Sequence, residues 1–266
     1  MKTPRVCVVR TAGTNCDQET AFAFAQAGGA AELVHVNRLI GKKESLREYQ
    51  VLAFPGGFTY GDDIAAGKIL ANELRYKLKD QLEKFVQDGK LIIGICNGFQ
   101  ILVKAGLLPG NENLTQEVTL TLNDSGKFED RWVYVKAQGS RHKAQVECVW
   151  TKDLSDSVYL PVAHGEGKFI APDKAVVSRL KHKGQIVLQY CDESGRLGGY
   201  PVNPNGSAEN IAGICDESGR VLGLMPHPER HITRFHHPRW QMMEHKKEGD
   251  GLQIFKNGIA YARKYL

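Results

Sequence analysis

The first half of the sequence alternates short apolar runs with longer segments in which apolar residues recur every three or four positions. The short runs have the length and composition of buried strands, and they are Arg5–Arg10, Ala31–Val36, Val51–Phe54 and Leu91–Ile95. The longer segments are typical of helices, and they are Asp17–Ala27, Ile64–Gln87 and Gly98–Lys104. Strands that alternate with helices favour a parallel sheet covered by helices on both faces. The sequence therefore predicts an α/β fold built on a mostly parallel central sheet.

The second half changes character, because short strand-like runs come one after another with turns between them. These runs are Val118–Leu122, Arg131–Ala137, Gln145–Trp150, Lys168–Ile170, Gln185–Tyr190, Ile211–Ile214 and Val221–Met225. The hexapeptide Cys-Asp-Glu-Ser-Gly-Arg occurs at 191–196 and again at 215–220, and its Ser-Gly pair predicts two similar hairpin turns. We expect this half to extend the sheet with antiparallel strands. No linker or low-complexity segment interrupts the sequence, which predicts one domain over residues 1–266.

Composition and charge exclude several classes of protein. The chain has 266 residues, of which 42% are hydrophobic and 24% charged, so it is neither disordered nor fibrous. No apolar run is long enough to span a bilayer, and the first residues lack the pattern of a signal peptide. The net charge of +5 is spread along the chain, which argues against a nucleic-acid partner. We therefore predict a cytoplasmic protein without a membrane or nucleic-acid partner.

Six cysteines lie far apart in the sequence, and no two of them have the Cys-x-x-Cys spacing. No histidine cluster stands beside them at the spacing of a zinc site, so we predict no metal centre. In a reducing compartment such cysteines are mostly buried free thiols. Their local sequence must therefore decide which of them takes part in chemistry.

One cysteine has the local sequence of a nucleophile. In Gly-Ile-Cys-Asn-Gly-Phe-Gln, residues 94–100, a strand-like run leads into Cys96 and a helical pattern begins directly after it. This arrangement places the sulfur on a sharp strand-to-helix turn, which Gly94 and Gly98 permit because they have no side chain. The N–H groups at the start of the helix favour a thiolate. The alternative is an inert buried cysteine at the end of a strand.

A second segment contains the partners that a thiol nucleophile requires. His227 and Glu229 come after the last strand-like run and stand two residues apart, so both point to the same side of an extended backbone. A carboxylate beside an imidazole fixes its tautomer and stabilises its cationic form. Taken alone, the segment is equally consistent with an exposed turn.

A third segment, Phe-Pro-Gly-Gly-Phe at residues 54–58, ends the third predicted strand. Ligand sites of parallel sheets lie at the carboxyl ends of the strands. Gly56 and Gly57 allow backbone N–H groups to face a reacting oxygen, as in an oxyanion hole. The alternative is an ordinary turn between a strand and a helix.

Together, these three segments resemble the class I, or triad, glutamine amidotransferases, a family with a flavodoxin-like fold. Four further segments resemble one branch of that family, the glutaminases of phosphoribosylformylglycinamidine synthase, an enzyme of purine biosynthesis. They are Gly-Thr-Asn-Cys-Asp at 13–17, Gly-Phe-Thr-Tyr-Gly-Asp-Asp at 57–63, Pro-Val-Ala-His-Gly-Glu-Gly at 161–167 and Asn-Pro-Asn-Gly-Ser at 203–207. The resemblance covers nearly the whole chain.

The resemblance implies roles for the matching residues. It implies a catalytic triad in which the nucleophile, the general acid and base, and the orienting carboxylate are Cys96, His227 and Glu229. It implies an oxyanion hole formed by the N–H groups of Gly57 and Asn97. The implied glutamine-binding residues are Gly56, Gln100, Gly165 and Glu166. We expect the turn after Gly57 to lie at a partner interface, through Tyr60, Asp62 and Asp63. Cys16 and His164 are not predicted to be catalytic.

A glutaminase of this branch delivers ammonia to an ATP-dependent synthetase subunit, which converts formylglycinamide ribonucleotide to formylglycinamidine ribonucleotide. The sequence has no Walker-type phosphate loop, so we predict that ATP and magnesium bind the synthetase and that this chain carries no cofactor. A small third subunit is compatible with such an assembly. Two alternatives remain open, an independent cysteine hydrolase acting on a peptide or γ-glutamyl substrate and a non-catalytic regulatory subunit.

Overall fold

The computed structural model describes residues 2–110, 114–138, 146–242 and 247–266. Within these ranges the strands are β1 (Arg5–Arg10), β2 (Ala30–His35), β3 (Val51–Phe54), β4 (Leu91–Ile95), β5 (Thr119–Thr121), β6 (Glu129–Ala137), β7 (Ser157–His164), β8 (Lys168–Ile170), β9 (Ile186–Cys191), β10 (Ile211–Cys215) and β11 (Val221–Leu224). The helices are α1 (Asp17–Gln26), α2 (Val36–Ile40), α3 (Lys68–Lys77), α4 (Lys79–Gln87), α5 (Asn97–Lys104), α6 (Lys174–Lys183) and α7 (Leu252–Tyr265).

Nine of these strands form one sheet in the order β2-β1-β3-β4-β11-β10-β9-β6-β7. The first five strands in that order are parallel to one another. The last four continue the sheet in antiparallel pairs. Strands β5 and β8 pair separately as a small antiparallel sheet. The predicted fold class, a parallel sheet with an antiparallel extension, is confirmed.

The central strands are apolar along their whole length because helices cover the sheet. Every residue of β3 and of β4 is buried, as expected for parallel strands shielded on both faces. One group of helices joins α1 to α7, where the Phe24 and Phe255 rings lie edge to face with their centroids 4.9 Å apart. A second group joins α3 to α4 and α5. No helix in the described ranges is long and apolar enough to cross a membrane.

Some local predictions differ from the structure, and one strand was not predicted. The helix predicted over Ile64–Gln87 begins only at Lys68 and is broken at Leu78, where φ is −124° and ψ is 8°. Of the strand predicted over Gln145–Trp150, Gln145 lies outside the described residues and Val149–Thr151 forms a short 3-10 helix. Strand β7 is not predicted by the sequence pattern, because the proline at its centre, Pro161, removes a backbone donor and is typical of edge strands.

The fold brings three of the sequence segments to one edge of the sheet. Strands β3, β4 and β11 are neighbours and parallel, so their carboxyl ends lie side by side. The glycine pair comes after β3, Cys96 after β4, and the His227–Glu229 segment after β11. Residues that are far apart in sequence therefore share one site.

Candidate active site

Cys96 occupies a strained turn between β4 and α5. Its backbone has φ 52° and ψ −107°, a conformation that side-chain-bearing residues rarely adopt. Its N–H donates to the Leu224 carbonyl oxygen at 2.8 Å, and its own carbonyl oxygen accepts from the Gln100 N–H at 3.2 Å, which closes the first turn of α5. The turn therefore presents the thiol at the N-terminus of a helix, as a nucleophile elbow does.

Two glycines permit this turn, because they let backbone approach backbone. A Cβ atom on Gly98 would lie 1.9 Å from the Phe54 carbonyl oxygen. A Cβ atom on Gly94 would lie 2.6 Å from the Gly98 carbonyl oxygen. Strands β3 and β4 and helix α5 are therefore packed too closely to admit a side chain at either position.

His227 and Glu229 form a buried pair after β11. Nδ1 of His227 lies 2.6 Å from Oε1 of Glu229, and both residues are only 2% exposed. Because a carboxylate only accepts, Nδ1 carries the proton and donates it to this bond. Nε2 of His227 has no hydrogen-bond partner among the described residues, so it can exchange a proton with a reacting group. The His227 N–H donates to the Pro161 carbonyl oxygen at 2.8 Å, which anchors the segment to β7.

The surroundings of His227 favour its imidazolium form. Burial lowers the pKa of His227, but the Glu229 carboxylate and the Cys96 and Cys16 thiols beside the ring raise it by more, so the pKa lies well above its ordinary value. The cationic form of His227 is therefore the one that this pocket stabilises. In cysteine nucleophiles, an imidazolium beside the sulfur favours the reactive thiolate.

Cys16 lies beside the same pair, a position that no motif in the sequence predicts. Its sulfur is within 4.8 Å of a His227 ring nitrogen and of a Glu229 carboxylate oxygen. The sulfur also donates to Asn15 Oδ1 at 3.1 Å and accepts from Arg230 Nη2 at 3.1 Å. Burial raises the pKa of the Cys16 thiol, which keeps it protonated. Cys16, His227 and Glu229 are of metal-ligand type, but the Arg230 guanidinium at the sulfur opposes a second cation there.

The sequence does carry a positional signal for Cys16, because the segment 13–17 comes directly after the first predicted strand. In a parallel sheet, the loops after the strands all lie at the edge where ligands bind. The order of the segments along the chain could therefore have brought Cys16 to the site, although not to a particular contact.

The glycine pair after β3 packs directly against the catalytic residues. A Cβ atom on Gly56 would lie 2.7 Å from Cε1 of His227 and 3.2 Å from the Cys16 sulfur. Gly57 has φ 140°, a value open to glycine but rarely to other residues, and a Cβ atom there would lie 2.7 Å from the Gly13 carbonyl oxygen. Gly56 therefore borders the catalytic histidine, and Gly57 borders the loop after β1.

The side chains at the start of α5 join the two predicted substrate-binding segments. Nδ2 of Asn97 donates to Gln100 Oε1 at 3.0 Å, and Gln100 Nε2 donates to the Glu166 carbonyl oxygen at 2.5 Å. Asn97 lies in the first turn of the helix, where a backbone N–H has no intrahelical acceptor. The Gly165 carbonyl oxygen accepts from the Asn123 N–H at 2.9 Å, which fixes the segment beyond β7.

Strand β7 closes the site although it is the last strand of the sheet. Its Ala163 carbonyl oxygen lies 3.7 Å from the Cys96 sulfur, a distance compatible with a weak S–H donor.

The neighbouring His164 is buried, and its Nδ1 lies 3.1 Å from Asn123 Oδ1. Burial lowers the pKa of His164 to about 3. Burial therefore keeps His164 neutral near pH 7.

The turn predicted as a partner interface is not uniformly exposed. The Tyr60 hydroxyl donates to Glu73 Oε2 at 2.6 Å, and this ring is half-buried. Oδ1 of Asp62 accepts from Asn97 Nδ2 at 3.0 Å, so this carboxylate faces the site. Asp63 is exposed. Of the three predicted interface residues, only Asp63 presents its side chain mainly to solvent.

Comparison with known proteins places these features in context. A family model described as a CobB/CobQ-like glutamine amidotransferase domain matches residues 3–262. The phosphoribosylformylglycinamidine synthase subunit PurQ of Dehalococcoides mccartyi is 48% identical over 265 residues, which are 99% of this chain and 100% of that protein. The subunit of the same name from Archaeoglobus fulgidus is 41% identical over 275 residues, covering 98% and 97%. Among solved structures, PurLQS from Thermotoga maritima contains a chain with 32% identity and a TM-score of 0.73, covering 98% of this chain and 99% of that one.

Proposed function

The chain belongs to the CobB/CobQ-like glutamine amidotransferase family, and on that premise we propose that it is the glutaminase component of phosphoribosylformylglycinamidine synthase. The observation that carries the proposal is the meeting of Cys96, His227 and Glu229 at the carboxyl ends of neighbouring strands. Near-complete coverage of relatives that bear the synthase's name supports the choice of this branch. The family match over residues 3–262 supports treating residues 1–266 as one domain.

In the proposed first half-reaction, the Cys96 thiolate attacks the side-chain amide carbon of glutamine. The N–H groups of Gly57 and Asn97 stabilise the developing oxyanion. The imidazolium of His227 protonates the leaving nitrogen, which departs as ammonia, and a glutamyl thioester remains on Cys96. The hydrogen bond from Nδ1 of His227 to Oε1 of Glu229 holds the imidazole ring in position during this transfer.

In the second half-reaction, neutral His227 takes a proton from water, and the resulting hydroxide attacks the thioester carbon. The carbon–sulfur bond breaks, glutamate leaves, and Cys96 is restored as a thiolate beside an imidazolium. The free Nε2 of His227 is the atom suited to both proton transfers, because Nδ1 is committed to Glu229.

The glutamine subsite in this proposal lies between the start of α5 and the segment after β7. The hydrogen bond from Gln100 to the Glu166 carbonyl already joins these two elements. Gly165 leaves room beside them, because a Cβ atom built there would come no closer than 3.9 Å to any other residue. Gly56 completes the wall on the His227 side.

The ammonia would pass to a synthetase subunit that binds ATP and magnesium, and a small third subunit would complete the assembly. The proposal also includes a cytoplasmic location, where the purine precursors are made. A steady-state glutaminase assay with and without the synthetase tests the partnership. We expect weak hydrolysis by the chain alone and a marked increase when the synthetase and its nucleotide substrates are added.

The same assay separates the two alternatives. Equal and high rates in both conditions would favour an independent cysteine hydrolase. An inactive chain in both conditions would favour a regulatory subunit, although the complete triad argues against that role.

A further inference from the structure

The turn after the glycine pair is held in an unusual backbone conformation. Tyr60, Gly61 and Asp62 are consecutive and have φ values of 54°, 72° and 54°. Two of these residues carry side chains, for which such a conformation is strained. Contacts elsewhere must therefore hold the turn in place.

Those contacts converge on Asn97, the residue after the nucleophile. Oδ1 of Asn97 accepts from the Thr59 N–H at 3.3 Å and from the Thr59 hydroxyl at 2.7 Å. Nδ2 donates to Asp62 Oδ1 and to Gln100 Oε1, each at 3.0 Å. A primary amide has two donors and two acceptor sites, so this fully buried amide has every capacity filled.

One carboxylate oxygen of Asp62 accepts two hydrogen bonds. Oδ1 accepts both from Asn97 Nδ2 and from the Gly67 N–H, the latter at 2.9 Å. Gly67 is the residue before α3, so the same atom joins the start of α3 to the start of α5. These two bonds require an oxygen acceptor and do not by themselves require a negative charge.

The chain of hydrogen bonds continues across the site. From Asp62 it runs through Asn97 and Gln100 to the Glu166 carbonyl oxygen. It therefore links the turn at 59–62 to the first residue of α5, whose N–H faces the oxyanion in the proposed mechanism, and to the glutamine-binding segment.

We propose that Asp62 is a positioning residue, which acts through the Asn97 amide to hold the oxyanion-binding end of α5 in its working geometry. This inference rests on the proposed glutaminase function. It departs from the expectation that Asp62 lies at a partner interface, because here the carboxylate serves as a hydrogen-bond acceptor inside the site.

Asp62→Asn and Asp62→Ala separate the two roles. Asparagine keeps an oxygen where both donors converge, whereas alanine leaves Gly67 and Asn97 each without this acceptor. Asp216→Ala is the matched control, because Asp216 Oδ1 likewise accepts from two backbone N–H groups. Its turn joins β10 to β11 at the edge of the sheet where β4 begins, opposite the edge that carries Cys96. All proteins are assayed for glutamine hydrolysis in the presence of the synthetase and its nucleotide substrates, and melting temperatures establish that each is folded.

We expect Asp62→Ala to lower kcat by about tenfold or more with a smaller change in KM, since a displaced donor costs transition-state stabilisation more than ground-state binding. Asp62→Asn should stay within about threefold of wild type, and Asp216→Ala should match wild type. A folded Asp62→Ala protein with wild-type kcat would overturn the inference, and so would an Asp62→Asn protein as impaired as Asp62→Ala. If the wild type itself fails to hydrolyse glutamine with the synthetase present, the proposed function fails instead.

A second pair of variants tests the other end of the amide. Thr59→Ser keeps the hydroxyl that donates to Asn97 Oδ1, and Thr59→Val removes it at nearly equal volume. We expect Thr59→Val to lower kcat and Thr59→Ser to keep kcat near the wild-type value. Equal kcat values for the two folded variants would contradict the role given to Asn97.

Discussion

Nδ1 of His227 and Oε1 of Glu229 lie 2.6 Å apart in a pocket where neither side chain is more than 2% exposed. Such a short bond between an imidazole and a carboxylate is typical of a charge-assisted interaction. Water cannot screen it, so Glu229 sets both the orientation of the ring and its affinity for a proton. Orientation and protonation can be tested separately, because glutamine can accept the same bond without the charge.

Glu229→Gln should shift the pH profile of glutamine hydrolysis. Since the carboxylate is the leading contribution that raises the pKa of His227, its replacement lowers that pKa. The imidazolium that protonates the leaving nitrogen then loses its proton at lower pH. We expect the alkaline limb of kcat/KM to move to lower pH, measured by initial rates over a range from about pH 6 to about pH 10. An alkaline limb at the wild-type position in a folded variant would show that His227 is not the group that titrates.

Labelling with a glutamine-analogue electrophile should modify Cys96 and leave Cys16 unmodified. Both thiols lie beside His227, but Cys16 is held as a neutral thiol between Asn15 and Arg230. Peptide mapping by mass spectrometry identifies the modified cysteine, and Cys96→Ala should abolish both labelling and hydrolysis. Label on Cys16 in the wild type would contradict the assignment of the nucleophile.

Gly56→Ala should impair catalysis while the fold is kept. The added methyl group would lie 2.7 Å from Cε1 of His227, so the ring must move. A misplacement of a catalytic group by about 1 Å lowers the rate by about a hundredfold. Gly199→Ala is the control, since a Cβ atom there would meet nothing within 4 Å. If both variants hydrolyse glutamine at the wild-type rate, Gly56 does not border the working position of His227.

His164 should make the protein less stable in acid. Its pKa is about 3 in the folded protein and about 6.5 when unfolded, so the unfolded chain binds the proton more tightly. The resulting loss of stability begins as pH falls below about 6.5 and amounts to about 2 kcal/mol near pH 5. His164→Gln cannot titrate, so its free energy of unfolding should fall less between about pH 7.5 and about pH 5 in urea titrations. Equal losses for the two proteins would mean that His164 titrates alike in both states.

The parallel half of the fold was predictable because short, mainly apolar runs alternate there with segments of helical periodicity. β1, β3 and β4 begin and end at the predicted residues. The repeated hexapeptide shows the limit of local patterns. Its second copy forms the short turn between β10 and β11. The first copy only begins the connection between β9 and β10, which are also antiparallel neighbours, because a further segment that includes residues 208–210 comes before β10.

The candidate site was predictable where its chemistry lies in short segments, as for Cys96 and the His227–Glu229 pair. It was not predictable where a side chain acts across the fold. The Asp62 side chain points into the site because three consecutive residues of its turn have positive φ values. The contact of β7 with Cys96 depends on how all the strands of the sheet are arranged. Such contacts join residues 35 and 67 positions apart, beyond the reach of sequence periodicity.

The most direct test measures the conversion of formylglycinamide ribonucleotide to formylglycinamidine ribonucleotide by the synthetase with ATP and magnesium. With glutamine as the nitrogen source, product should form only when this chain is added, and Cys96→Ala should abolish it. With ammonium salts in place of glutamine, the synthetase should form product whether the added chain is wild type or Cys96→Ala. Glutamine-dependent product that forms without this chain, or persists with Cys96→Ala, would contradict the proposed function.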